Sequence, residues 1–169
     1  MSVKFELGCD SNEFEQYYAL VQEKTESREN GLMYFKLNPE YLIIWRKDGE
    51  IVGHTIWHDS STDEHRKGDS RDAEDQAILR RLFGGKAKFV ELHEVWLREV
   101  YRGKGYGSKF FAFFEEFMRT RGVTEIAYYA YNPAALAICR KRGYQVGGCR
   151  EMPGFEGNIE RTYVLRKSL

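Results

Sequence analysis

From Val3 to Leu7 apolar and polar residues alternate, the period of a short first strand. Asp10 then opens D-S-N-E with Glu13 three residues on, the pattern of a helix capping box. Phe14, Tyr17, Tyr18 and Val21 follow at i, i+3, i+4 and i+7, so one face of that helix is apolar. Glu23–Asn30 is polar and reads as loop, and the segment around Tyr34 and Phe35 carries no decisive period. Tyr41–Arg46 and Ile51–His58 are β-rich runs joined by K-D-G-E. Asp48-Gly49 marks a hairpin there, because both residues tolerate the φ > 0 of a type I′ turn. Asp59–Asp75 is crowded with charge of both signs and reads as a solvated surface loop rather than a binding motif. Ala77–Phe83 predicts a short helix that stops at Gly84-Gly85.

Lys88–Leu97 is the fourth predicted strand, followed by a helix over Gly105–Arg121. Phe110, Phe113, Phe114, Phe117 and Met118 form one stripe on that helix, read as core. Thr124–Tyr131 is a fifth strand and Pro133–Arg142 a helix. Asn132 suits its N-cap, Pro133 its first turn and Gly143 its C-terminal cap. Tyr144–Gly147 and Ile159–Lys167 complete the β content. The order, β-α-(α)-β-β-β-α-β-α-β-β, predicts an α/β chain with a mixed sheet flanked by helices. No repeat or linker interrupts residues 1–169, so a single domain is expected.

Composition narrows the function. Lysine plus arginine number 26, aspartate plus glutamate 26, and no block of like charge dominates, so neither a nucleic-acid nor an anionic-membrane footprint is visible. The three cysteines, Cys9, Cys139 and Cys149, are an odd count without metal spacing, which favours a reducing compartment and leads to no expectation of a metal. The start M-S-V-K-F-E-L lacks the apolar stretch of a signal peptide, and no run reaches membrane-span length. A cytoplasmic protein without membrane or nucleic-acid partners is expected.

The candidate chemistry begins at Arg102–Ser108, R-G-K-G-Y-G-S, between the fourth strand and its helix. Glycines let backbone N–H groups approach a ligand, and a helix N-terminus adds unpaired donors and positive dipole. The combination suits a phosphorylated group, most simply a pyrophosphate. It is neither the G-x-G-x-x-G fingerprint nor G-x-x-x-x-G-K-[ST], and the same glycines can be plain strand-to-helix punctuation.

Two spaced patterns carry a resemblance. Arg102, Gly105 and Gly107 resemble [RQ]-x-x-G-x-[GA], with Gly103 and Lys104 also of familiar type. Asn132, Ala135, Ile138, Lys141, Gly143 and Tyr144 resemble N-x-x-A-x-x-ϕ-Y-x-K-x-G-[FY], where ϕ is apolar. In this order they resemble the GNAT superfamily of acyl-CoA-dependent N-acyltransferases, best from Lys88 to Tyr144. The resemblance implies a mostly antiparallel sheet of six or seven strands, splayed between the fourth and fifth. It implies acetyl-CoA as cosubstrate and transfer of an acetyl group to an amine of a small molecule or peptide. The backbone of Gly103, Lys104, Gly105, Tyr106, Gly107 and Ser108, beside Arg102, would seat the pyrophosphate. Main chain near Leu97 would polarise the thioester, and Asn132 would contact the pantetheine arm as well as cap its helix. Acceptor pockets in such folds come from variable parts, here the first helices, the Asp59–Phe83 insertion and the loop Cys149–Asn158. Met152, Pro153, Gly154 and Phe155 of that loop could form an apolar wall, and an edge at the C-terminal strands could pair two chains.

Acetylation needs a base, since an amine with a lysine-like pKa of about 10.4 is mostly protonated at neutral pH. Period-two alternation puts Glu91, His93, Val95 and Leu97 on one face of the fourth strand and Glu94 on the other. By resemblance, Glu91 and His93 occupy the positions of the family's catalytic glutamate or histidine, and a bulge would bring Glu94 round instead. The family's usual tyrosine acid falls at position 139, which is Cys139 here. Its thiol can serve as the proton donor or as core packing. A GNAT-like protein that binds acyl-CoA without turnover is the competing expectation.

Overall fold

A computed structural model describes residues 2–21, 26–153 and 159–169. Nine strands and five α-helices alternate through the described residues. They are β1 (Lys4–Leu7), α1 (Ser11–Val21), α2 (Glu26–Leu37), β2 (Leu42–Lys47), β3 (Glu50–Ser61), β4 (Glu64–Arg66) and β5 (Asp69–Ser70). There follow α3 (Ala73–Phe83), β6 (Lys88–Leu97), α4 (Tyr106–Thr120), β7 (Glu125–Ala130), α5 (Pro133–Lys141), β8 (Gln145–Pro153) and β9 (Ile159–Ser168). Seven strands form one sheet in the order β1-β2-β3-β6-β7-β9-β8, while β4 and β5 make a separate hairpin. The β6–β7 pair is parallel and holds register only from Val90↔Ile126 to Leu92↔Tyr128, although β6 runs on to Leu97 and β7 to Ala130. The neighbouring β1–β2, β7–β9 and β8–β9 pairs are antiparallel. This is the mostly antiparallel, seven-stranded sheet that the resemblance implies.

Local signals act where the sequence places them. The Asp10 carboxylate accepts from Asn12 N at 3.0 Å and Glu13 N at 3.1 Å, so two orphan donors of α1 are capped. Asp48 at φ 51° and Gly49 at φ 86° turn the β2–β3 hairpin. The Asn132 side chain accepts from Ala134 N at 2.8 Å at the start of α5. Three smaller readings change. Residues 26–30, polar and taken as loop, open α2. Cys149–Pro153, placed in a loop, belongs to β8 and pairs with β9, while residues 154–158 lie outside the described residues. The α4 stripe is rotated: Phe111, not Phe113 or Phe117, is buried with Phe110, Phe114 and Met118.

The largest change concerns residues 59–75. Rather than a solvated loop, they extend β3 to Ser61, fold back as β4–β5 and lead into α3, which Asp72 caps by accepting from Asp75 N. Asp59, Glu64, Lys67, Asp69, Asp72 and Glu74 stay exposed, but Arg71 and Asp75 find partners far along the chain and are pulled inward.

The chain packs as two compact units, Met1–Ile56 with Glu94–Tyr106, and Trp57–His93 with Gly107–Leu169. In the first, Phe14, Tyr17, Tyr18, Phe35, Leu42, Ile44, Ile51 and Ile56 form the core, with Trp96 packed against it. In the second, Ile78, Leu79, Leu82, Phe89, Ala127 and Val164 cluster under α3. Phe111 of α4 packs edge-on to Tyr144 and beside Tyr128 in the same unit.

Candidate active site

The glycine turn forms where expected, and its three glycines do different things. Gly103 at φ 73° and Gly105 at φ 80° occupy the left-handed region, and a Cβ at either would meet nothing within 4 Å. Their side of the backbone is therefore open. Gly107, already in α4, has no such φ; a Cβ there would stand 3.0 Å from Ile138 Cδ1, so it permits the close approach of α5. Arg102 is a brace. Its Nε donates to Leu97 O at 2.8 Å, and its guanidinium lies over the Trp96 ring at 5.6 Å. Lys104 Nζ lies over Tyr101 at 5.6 Å. Tyr106 opens α4, whose first N–H groups lack partners within the helix. The segment can offer a backbone-lined seat to an anion.

In the same unit, Glu94 on β6 has a carboxylate oxygen 3.0 Å from His54 Nε2 of β3. His54 is fully buried, and its Nδ1 lies 2.8 Å from the Tyr17 hydroxyl of α1. Burial, and then the Glu94 charge, push the Tyr17 phenol far above its ordinary pKa, so it stays protonated and able to donate to Nδ1. With that bond made, the His54 proton sits on Nε2, which approaches Glu94 Oε1 without hydrogen-bond alignment. Trp96 stacks on the imidazole at 6.1 Å. His54 was not foreseen, because it sits in an apolar run without a motif; Tyr17 reads as core or as part of an acceptor-pocket wall, not as a partner of His54.

In the second unit, Glu91 is buried and fully engaged. Arg71 Nη2 pairs with its Oε2, Ser60 Oγ donates to Oε2 at 2.9 Å, and His65 Nδ1 lies 3.2 Å from Oε1. Arg71 also donates to Asp75 Oδ2 at 2.7 Å and to the Tyr129 hydroxyl at 3.1 Å. Burial alone pushes the Glu91 carboxyl up, but the His65 hydrogen bond and the Arg71 charge outweigh it and hold it well below the carboxylate range. A carboxylate fixed in this way binds protons weakly. As a base, Glu91 is poorly suited; as an anchor, it ties β6 to residues 60, 65 and 71.

His93 is exposed on β6, its ring 5.6 Å from that of His58 and 5.2 Å from that of His65. Burial lowers the His58 pKa to about 4. Cys139 is fully buried in α5, and burial, then the Glu115 charge, push its thiol up to about 12. A thiol that weakly acidic, with no route to solvent, is a poor proton donor; packing is the role its place supports.

Comparison with known proteins defines the class first. Similar solved structures include a mosquito arylalkylamine N-acetyltransferase like 5b, at 11% identity, covering 99% of this chain and 100% of that one, with a TM-score of 0.69. The yncA protein of Salmonella typhimurium with its cofactor acetyl-CoA matches at 14% identity over 100% and 95%, with a TM-score of 0.67. The ribosomal-protein-alanine N-acetyltransferase of Brucella melitensis matches at 17% over 100% of both chains, with a TM-score of 0.65. At such identities the likeness is one of fold. Residues 9–144, a stretch that runs through both units, match the model of the acetyltransferase (GNAT) family, and the chain belongs to that family. It is an acyltransferase enzyme. No curated protein sequence matches it. No helix among the described residues is long and apolar enough to cross a membrane.

Proposed function

We propose that this protein acetylates an amine of a small molecule or peptide with acetyl-CoA, seated by the Arg102–Ser108 backbone. The observation that carries this is the pair of open, left-handed glycines, Gly103 and Gly105, at the entry to α4 in a chain of the GNAT family. Bound acetyl-CoA supplies the acetyl group: transfer breaks its C–S bond, makes a C–N bond and releases the thiol. The donors of residues 103–108 hold the diphosphate, while Arg102 braces the turn through Leu97 and Trp96.

For the base we assign Glu94 rather than Glu91 or His93. Both glutamates are buried, but their neighbours differ. Glu91 faces a guanidinium that cannot give up its charge, whereas Glu94 faces an imidazole backed by a phenol. Glu94 can thus accept the amine's proton, directly or through water. The leaving thiol has an ordinary pKa of about 8.5 and needs no dedicated acid, so the loss of the family's tyrosine at Cys139 is tolerable. The test compares E94Q, E91Q and H93A across pH on an amine the wild type turns over. Glu94→Gln is expected to lower kcat/KM by about 10²–10⁴ and remove the acidic limb. Equal activity in E94Q and wild type, or a comparable loss confined to H93A, overturns the assignment.

A further inference from the structure

Three histidines from separate strands meet in the second unit: His58 of β3, His65 of β4 and His93 of β6. One ring nitrogen of each lies within 4.8 Å of the others. The ring centroids of His58 and His65 are 4.7 Å apart, and the rings stand nearly perpendicular at 83°. Three imidazoles do not gather this way for packing energy, since each has polar edges that need partners.

The hydrogen bonds around the rings fix which nitrogens are presented. His58 Nδ1 lies 2.9 Å from the backbone carbonyl of Asp59, which can only accept, so Nδ1 carries the proton and Nε2 keeps its lone pair. That Nε2 is buried with no hydrogen-bond partner among the described residues. His58 is itself 2% exposed. His65 repeats the arrangement: its Nδ1 faces the Glu91 carboxylate at 3.2 Å, which directs its Nε2 outward. A carbonyl behind one ring and a carboxylate behind another are the supports that metal-ligating histidines use to fix tautomer and orientation. Glu91 is in turn held by Arg71 and Ser60, so that support is rigid.

We propose that His58, His65 and His93 bind a divalent late first-row transition metal ion of the zinc class. His58 and His65 are the preset ligands, and exposed His93 closes the site from the solvent side. Three imidazole nitrogens are the donor set that zinc, nickel and copper accept, and three ligands leave a position open to water or another small ligand. Zn–N bonds of about 2.0–2.1 Å place tetrahedral nitrogens roughly 3.4 Å apart. The present spacing, within 4.8 Å, therefore needs a modest inward adjustment of the rings. The site does not depend on the acetyl-transfer reading.

The test uses the full chain stripped with EDTA, in a C149S background that removes the exposed thiol. Zinc is titrated by calorimetry, and Co²⁺ absorption reports the geometry. One zinc per chain is expected, with a dissociation constant below about 10 µM, and Co²⁺ should give the visible bands of a tetrahedral nitrogen–oxygen site. H93A and H65A, at less buried positions than His58, should each weaken zinc by at least about tenfold, and E91Q by about 10–100-fold through His65. Absence of one-to-one binding at 100 µM zinc, roughly ten times the expected limit, would overturn the proposal. So would binding that H93A and H65A leave unchanged. Because the readout is metal affinity, loss of acetyltransferase activity in these variants neither supports nor contradicts the site.

Discussion

Replacing Arg71 with Met removes one guanidinium that serves two buried carboxylates, Glu91 and Asp75, and the Ser60 and Tyr129 hydroxyls. The Arg71 and Glu91 side chains are only 2% and 3% exposed, so solvent cannot take over the lost contacts. Breaking one partner of a buried pair costs about 3–5 kcal/mol, mostly as the penalty for the charge left behind. In a protein of this length each kcal/mol moves Tm by about 2–4 °C, so R71M should melt roughly 6–20 °C lower at pH 7. Glu91→Gln should destabilise as well, yet R71M/E91Q should fall short of the sum of the singles by at least about 0.5 kcal/mol. The pH dependence has a definite sign. Glu91 is held below its unfolded value of 4.5, so its stabilisation is present above that pH and is lost as pH falls below it. In R71M the carboxyl protonates more readily, and the gap between variant and wild type should narrow below about pH 4.5. Thermal unfolding followed by circular dichroism at several pH values measures all of this. A Tm for R71M at pH 7 within error of wild type, or strict additivity in the double variant, would refute the reasoning.

Other consequences are as direct. Ala at Gly105, held at φ 80°, meets no neighbour and should cost about 1–2 kcal/mol of backbone strain in the turn. KM for acetyl-CoA should rise with kcat little changed; an unaltered KM would leave the glycine as plain punctuation. Cys139→Ala should retain kcat and lose about 1 kcal/mol of stability from the small cavity, as kinetics and urea unfolding would show; a large fall in kcat would restore the thiol as an acid. His58, neutral and buried with a pKa near 4, takes up its proton only on unfolding between pH 6.5 and 4. Stability should fall across that window by on the order of 3 kcal/mol. In metal-free buffer H58Q should flatten the decline, and an unchanged slope would contradict the burial argument.

Where one residue speaks to its neighbours, the sequence is readable. Asp10 caps α1, Asp48-Gly49 turns a hairpin and Asn132 caps α5, because each acts within three residues and needs no tertiary partner. The glycine turn is legible for the same reason. Residues 59–75 are not. Their charges look solvated in sequence, but Arg71 meets Glu91 20 residues on and Tyr129 58 residues on, and those distant partners are what make its burial affordable. The base assignment suffers likewise: alternation along β6 puts Glu91 and His93 together, while the environment separating Glu91 from Glu94 comes from Arg71 and His54. Metal spacing sought among cysteines could not find three histidines on three strands, and only the folding of the β4–β5 hairpin back against the main sheet brings them together. Polar residues 26–30 gave no helical period, yet α2 runs through them and buries Phe35 near its end.

The most direct measurement is release of free thiol from acetyl-CoA by the purified chain, screened against aryl- and alkylamines, polyamines, amino acids and peptides. The account requires amine-dependent thiol release with the matching N-acetyl product, lost in E94Q and weakened in G105A through KM. Binding of acetyl-CoA with no acetylated product from any amine in the panel would contradict it.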